Sequence, residues 1–349
     1  MAGYKARLSG DLDRWIDQGL VAPESRQPIL ASVAEARRMD AGVALAVMGA
    51  ILAGLAAIAF VAANWDVIPR LARFALILSV FAATCAGAAW AAWRGRPLVR
   101  DVLLGVAALI YAGAIGLTGQ IFDLAGDPQA ALRGAGLAAA LLALAGRANA
   151  AAIASVALIA LGDFAGPEGL FGLQLRWLAI AAPAGVLLAL AWRSRSLAHL
   201  AGPAMVVGWL FAAPDIKPEA YLALAAAFAI AAGASRWASE RELRAGGVIY
   251  AWMAAGALLA FAVAGFADES LGLIHRLAWL ILSGAVIALG LHDRAGAVTA
   301  AGVLAAIGAV STILMDLGVS LMTAAGVFAG CAVLALAAGG LLRRRRAKA

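Results

Sequence analysis

Residues 98–128 read LVRDVLLGVAALIYAGAIGLTGQIFDLAGDP, and the apolar run from Val102 to Leu117 fixes the class of structure open to the chain. It carries small and large apolar residues on every side of a helix, so no soluble fold could bury one face and wet the other. A bilayer accepts such a run, because a helix needs roughly 20 apolar residues to cross it. The device repeats along the chain. The sequence is 64% hydrophobic and 13% charged, against ~25% charged in globular domains. Its excess of Ala, Gly and Leu suits helices that approach closely in lipid. The short alternating segments of a β-barrel do not occur in the sequence.

Apolar runs place twelve spans at residues 41–63, 71–93, 99–122, 130–146, 148–163, 175–192, 197–213, 219–237, 247–266, 271–289, 296–314 and 319–342. The fourth and fifth are short for a ~30 Å hydrocarbon core. Loop charge tests the count, since cytoplasmic loops collect Lys and Arg. With the N-terminus inside, the outer loops hold only Arg70, Arg73, Arg133, Arg176, Lys217 and Arg276 of the 27 bases, and every inner loop has at least one. An odd miscount would have scrambled that bias. The expectation is an all-α, polytopic transmembrane helix bundle in the inner (plasma) membrane, with both termini cytoplasmic. The same placement explains the net charge of +7 as an orienting device, so no nucleic-acid partner is expected. The outer acids, among them Asp123, Asp127, Asp163 and Asp316, read as ordinary solvated loop residues.

Residues 1–40 form the one sizeable polar segment. Leu8, Leu12, Trp15 and Ile16 recur at helical spacing, Gly19 stops that helix, and Pro23 can open a second one with Ile29, Leu30 and Val33 on its apolar face. The expectation is a cytoplasmic amphipathic helical hairpin that caps the membrane's inner face or docks a protein partner. Acids balance bases in it, which argues against a DNA-binding helix pair. Residues 41–342 form the bundle and residues 343–349 a basic cytoplasmic tail. The first residues are charged and amphipathic rather than an apolar signal region, so the first span is expected to act as an uncleaved anchor. Cys85 and Cys331 lie in apolar runs and read as packing residues. Trp65, Trp90, Trp93, Trp192, Trp209 and Trp237 fall near span ends, where an aromatic belt belongs. Gly113 with Gly116, and Gly326 with Gly330, offer small faces for helix approach. No convincing internal repeat is legible.

Span centres are almost free of charge, whereas proton-driven transporters bury ionisable groups near the midplane. Asp101, Arg176, His275 and Arg276 sit at span ends, and His199 near the inner surface. No phosphate-binding loop, zinc-protease motif or serine-hydrolase motif occurs, so no enzyme activity and no cofactor is expected. Two polar exits remain. The first span ends at Asn64-Trp65-Asp66 and the third at Thr118-Gly119-Gln120-Ile121-Phe122-Asp123, both on the outer side. Carboxamides are costly in lipid without partners, so Asn64 and Gln120 are expected to turn into the bundle. They lock helices together or, with Trp65 and Asp123, form one wall of an outward-facing site.

These residues also carry a resemblance. The elements Leu12…Trp15…Gly19-Leu20, then Gly49…Phe60…Asn64-Trp65…Pro69…Arg73, then Gly113-Ala114…Leu117…Gly119-Gln120-Ile121-Phe122-Asp123-Leu124…Gly126-Asp127 resemble the prokaryotic membrane-protein family catalogued as domain of unknown function 2157. The resemblance covers roughly residues 8–146. It implies a polytopic membrane protein of unestablished activity and carries over no catalytic residue. Two functions follow as expectations: a non-enzymatic membrane component or scaffold that docks a partner, or a transporter or flippase for a small or amphipathic molecule. A midplane cavity with polar walls would favour transport. A filled bundle with an exposed apolar groove would favour the scaffold.

Overall fold

The computed structural model describes residues 4–32, 68–166, 174–212, 217–240 and 245–318, with isolated positions between 322 and 330. Its chain forms two compact units, Met1–Pro69 and Arg70–Ala349.

In the first unit, α1 (Tyr4–Asp17) and α2 (Arg26–Ser32) flank a 3-10 turn at Pro23–Ser25. Leu12 and Leu30 are buried, as the helical spacing requires. Gly19 ends α1 with φ +69°, and the Leu20 N–H donates to the Trp15 carbonyl at 2.9 Å. The Arg26 guanidinium ties α2 to α1. It donates to Asp13 at 2.7 Å and to the Ser9 hydroxyl at 2.9 Å, and this holds the Asp13 carboxyl below the usual carboxylate range. The expected first span and Val33 lie outside the described residues.

The second unit holds α3 (Arg70–Trp93), α4 (Pro97–Phe122), α5 (Pro128–Gly146), α6 (Asn149–Phe164), α7 (Arg176–Ala191), α8 (Arg195–Leu210), α9 (Pro218–Glu240), α10 (Gly246–Ala267), α11 (Gly272–His292) and α12 (Gly296–Asp316). Every expected span between residues 71 and 314 is one of these helices. Seven of them (α3, α4, α5, α9, α10, α11 and α12) are long and apolar enough to cross a membrane. The helices α6, α7 and α8 have 16 residues each, or about 24 Å at 1.5 Å per residue. Outward faces are large and apolar: Ile274 is 82% exposed and Leu304 69%. Among the described residues there is no strand.

The ten helices are five hairpins, α3/α4 through α11/α12, each pair in extensive contact. The second helices also touch in series, α4 to α6 to α8 to α10 to α12, and so form one parallel layer. This is a structural repeat that the sequence conceals. Four hairpin turns among the described residues share one closure. The residue in the left-handed region is Gly95, Arg147, Arg193 or Arg294. The next N–H reaches back five residues, to the carbonyl of Ala91, Ala143, Ala189 or Gly290, which is a Schellman cap. All four acceptor residues are small and buried, so the motif is written in size and φ rather than in letters.

Small residues set the spacing within the hairpins. A Cβ on Gly136 would lie 2.5 Å from Ile159 and 3.1 Å from the Ser155 carbonyl, and one on Gly302 would lie 3.0 Å from the Ser283 carbonyl. The glycines singled out from the sequence do not do this. Gly113, Gly116, Gly326 and Gly330 have nothing within 4 Å of such a Cβ. Local spacing reports that a small face exists, but not whether a neighbour uses it. Cys85 is half-buried on α3, and Cys331 lies outside the described residues.

Candidate functional site

The hairpin layout defines two ends within this unit. The turn end holds residues 94–96, 147–148, 192–194 and 293–295. The loop end holds residues 123–127 and 268–271, together with the starts of α3, α7 and α9.

The polar exit of α4 lies at the loop end. The helix closes at Asp123, which is left-handed with φ 52°, and the Leu124 N–H donates to the Gly119 carbonyl at 2.9 Å. The next helix opens at once: Asp127 accepts from the Gln129 N–H at 2.9 Å, and Pro128 takes the first helical position, where its missing N–H costs nothing. Between α4 and α5 this leaves a pocket of about 590 Å³ lined by Gln120, Asp123, Asp127, glycines and apolar side chains. Gln120 is exposed at this pocket, not turned into the bundle as its cost in lipid leads one to expect. Asp123 accepts from Arg70 at 2.9 Å, and both side chains are well exposed. Asn64 and Trp65 lie outside the described residues. The structure therefore brings Gln120 and Asp123 to one pocket. It also assigns the two acids there to an ion pair and a helix cap.

A second acid at this end is treated differently. Asp163, at the close of α6, is 3% exposed, which corrects its reading as a solvated loop residue. Its Oδ1 accepts from Arg133 of α5, at 2.9 Å from Nε and 2.8 Å from Nη2. Its Oδ2 accepts from the Leu178 N–H at 2.9 Å, one of the otherwise unsatisfied donors that open α7. One carboxylate thus closes the α5/α6 hairpin and caps the next one. A carboxylate in this position is favoured by the helix dipole. The signal in the sequence is depth. Arg133 falls about one turn inside the expected span 130–146, where a lone charge costs several kcal/mol, and Asp163 closes the neighbouring span 148–163.

Two further anchors lie at the turn end. Asp101 of α4 accepts from the Ala150 N–H at 3.2 Å, across to the start of α6. Arg236 of α9 donates twice to Asp293, at 2.7 and 2.8 Å, and the Tyr250 hydroxyl donates to the same carboxylate at 3.1 Å. The Arg236 hydrogen bonds are the main reason the Asp293 carboxyl lies below its usual range. At the loop end, Arg276 pairs with Asp316. His275 is buried and stacks on Phe261 with ring centroids 4.1 Å apart. Its Nε2 donates to the Phe261 carbonyl at 2.8 Å, a packing role rather than a proton relay.

The indoles divide. Trp90, Trp93 and Trp237 are exposed near the turn end, as an aromatic belt requires, and the Arg94 guanidinium lies 5.5 Å from both the Trp90 and Trp93 rings. Trp209 is not an anchor of that kind. Its Nε1 donates to the Ala179 carbonyl at 2.7 Å, and its ring meets Phe228 at 5.8 Å.

The larger openings between helices are apolar. One of about 610 Å³ lies among α9, α10, α11 and α12, walled mostly by alanines and leucines, with Arg236 and Tyr250 at its turn end. Another, of about 770 Å³, lies over α10 between α8 and α12.

Apolar exposed faces, paired charges at both ends and helices of membrane-spanning length define an integral membrane protein. Residues 13–152 match the family described as "Predicted membrane protein (DUF2157)". That stretch takes in the motifs around Gln120. No curated protein and no solved structure matches the chain.

Proposed function

We propose that the protein is a non-enzymatic component of the inner membrane, with twelve spans and both termini cytoplasmic, that docks a protein partner through residues 1–40. The observation that carries this reading is the division of polar and apolar surface. Each buried or half-buried carboxylate discussed above is committed to a guanidinium or a helix N–H, while the openings of about 770 and 610 Å³ between helices are lined mostly by apolar groups. A transport path needs polar groups free to meet a solute near the midplane. A docking protein needs a stable frame and an accessible surface. The hairpin of α1 and α2 supplies that surface, with Leu20 70% and Trp15 39% exposed.

The transporter or flippase alternative draws on the polar pocket at Gln120 and Asp123. The acids there already bond Arg70 and the start of α5, which favours the framework role.

The test places the photocrosslinking residue benzoylphenylalanine at Leu20 in the full chain, in cells. A discrete protein adduct is expected, and it should be lost when the exposed Trp15 of the same hairpin is replaced by Asp while the chain still inserts. Absence of any protein adduct, together with solute uptake by proteoliposomes that Gln120→Ala abolishes, would replace the scaffold reading with transport.

A further inference from the structure

The turn from α3 to α4 runs from Trp93 through Arg94, Gly95 and Arg96 to Pro97. It joins two helices long and apolar enough to cross a membrane, so it emerges at the headgroups. Trp90 and Trp93 lie in the last turn of α3, and Arg100 closes the first turn of α4. At 1.5 Å per residue, each is within about 5 Å of its helix end.

Positive charge gathers at this turn without a carboxylate to meet it. Arg94 and Arg96 are exposed. The Arg94 guanidinium lies 5.5 Å from the Trp90 and Trp93 ring centroids, and that of Arg96 lies 5.8 Å from the Trp90 centroid. Two like charges are thus held beside one indole. A ring face attracts a cation without neutralising it, and it leaves the guanidinium's in-plane N–H groups free to donate. Arg100 follows one turn after Arg96, and its Nε is buried without an acceptor. The acid of this stretch, Asp101, accepts from the Ala150 N–H at 3.2 Å. Among the described residues, no ion pair involves Asp101, Arg94, Arg96 or Arg100.

The missing partner is an anion at headgroup depth. A phosphate diester matches it, because its oxygens accept paired N–H bonds from a planar guanidinium. The surface below the arginines selects a lipid over a free phosphate. Trp90 is 48% and Trp93 80% exposed. Ala86 and Ala83 lie one and two turns below Trp90 on the same face of α3, and both are exposed. Small residues beneath two projecting indoles leave a shallow apolar shelf that runs into the hydrocarbon layer, where an acyl chain fits. A zwitterionic headgroup would bring its own cation toward Arg94 and Arg96, whereas an anionic one would not.

We propose that the α3/α4 turn binds an anionic phospholipid of the leaflet at the turn end, its phosphate at Arg94 and Arg96 beside Trp90 and an acyl chain over Ala86. The site stands on the second unit alone and does not depend on partner docking by residues 1–40.

The experiment is a native mass-spectrometry titration of the delipidated full-length protein with phosphatidylglycerol and, separately, phosphatidylcholine of the same acyl chains. Phosphatidylglycerol should bind about tenfold more tightly, as expected from two cationic groups near a headgroup. The double variant Arg94→Gln with Arg96→Gln should bring the two lipids to parity. Trp90→Leu keeps the charge but releases both guanidiniums, and should cut the preference severalfold. Ala86→Trp, which fills the shelf, should weaken both lipids. An unchanged melting temperature confirms the fold of each variant. Arg294→Gln, at a different turn, should keep the preference, and excess inorganic phosphate should leave phosphatidylglycerol bound. Equal binding of the two lipids by the unaltered protein would overturn the proposal. So would a preference that survives the double arginine variant, one that is untouched by Trp90→Leu or lost in Arg294→Gln, undiminished lipid binding by Ala86→Trp, or displacement of the lipid by inorganic phosphate.

Discussion

At the turn end, Arg147, Arg193 and Arg294 each occupy a left-handed conformation where a helix closes. At the loop end, Arg70, Arg133 and Arg276 each meet an aspartate. A left-handed residue with a side chain costs about 1–2 kcal/mol, and Gly95 shows that the same closure works without that cost. At three turns arginine brings a charge that glycine lacks. It meets the negative end of a helix dipole, and bases in loops are the residues that orient membrane proteins. The loop-end arginines are paired with carboxylates in the folded structure; they are three of the six bases in the expected outer loops. The comparison also separates two kinds of ion pair. Arg133 and Asp163 are 21% and 0% exposed, whereas Arg70 and Asp123 are 64% and 72% exposed.

The largest expected effect tests that last contrast. Asp163→Ala leaves the Arg133 guanidinium and the Leu178 N–H without their acceptor and should cost about 3–5 kcal/mol. Asp123→Ala should cost less than about 1 kcal/mol. Both are read from unfolding of the detergent-solubilised protein. Equal losses would mean that burial does not distinguish the two pairs.

A smaller effect carries a pH signature at the turn end. The folded Asp293 carboxyl titrates below its ordinary value because of Arg236. Its stabilisation is thus present at neutral pH and lost as pH falls through the acid range, below about pH 4. The melting temperature of the unaltered protein should drop between about pH 5 and about pH 3 more steeply than that of Asp293→Asn. Parallel profiles would show that the Arg236–Asp293 pair does not set the acid limit.

The smallest effect is at the turns themselves. Arg147→Gly should raise stability by about 0.5–1 kcal/mol, and Gly95→Ala should lower it by about 1 kcal/mol. Reporter fusions after residue 147 should show weaker retention on one side in the glycine variant than in the unaltered chain. A destabilised Arg147→Gly would mean that the guanidinium's contacts outweigh the backbone relief.

Much of the fold is legible in the sequence. The apolar runs place α3 to α12 within a few residues. Gly19 and Pro23 bound the first hairpin, and the Thr118–Asp127 segment is recognisable as a polar exit. The site is harder to read. Gln120 and Asp123 do share a pocket, but the pairing of Asp123 with Arg70 joins residues 53 apart, and no local pattern states which arginine an exposed aspartate meets. Trp209 shows the same limit: an indole near a helix end is an anchor or a packing residue according to what stands beside it.

The sequence by itself determined that this is a membrane protein, where its helices begin and end, and which turns carry positive charge. These properties depend on a residue's transfer to lipid and on its immediate neighbours, both of which are local. The tertiary structure alone decided that the helices form five hairpins with their second members in one layer. It also decided that Asp163 is sealed between α5, α6 and α7, and that α8, α10 and α12 line one apolar opening. In a chain so rich in Ala and Gly, many helix faces are equally able to pack. Only the contacts actually made choose among them, by the close approach at positions such as Gly136 and Gly302 and by the few charges that must find partners across helices.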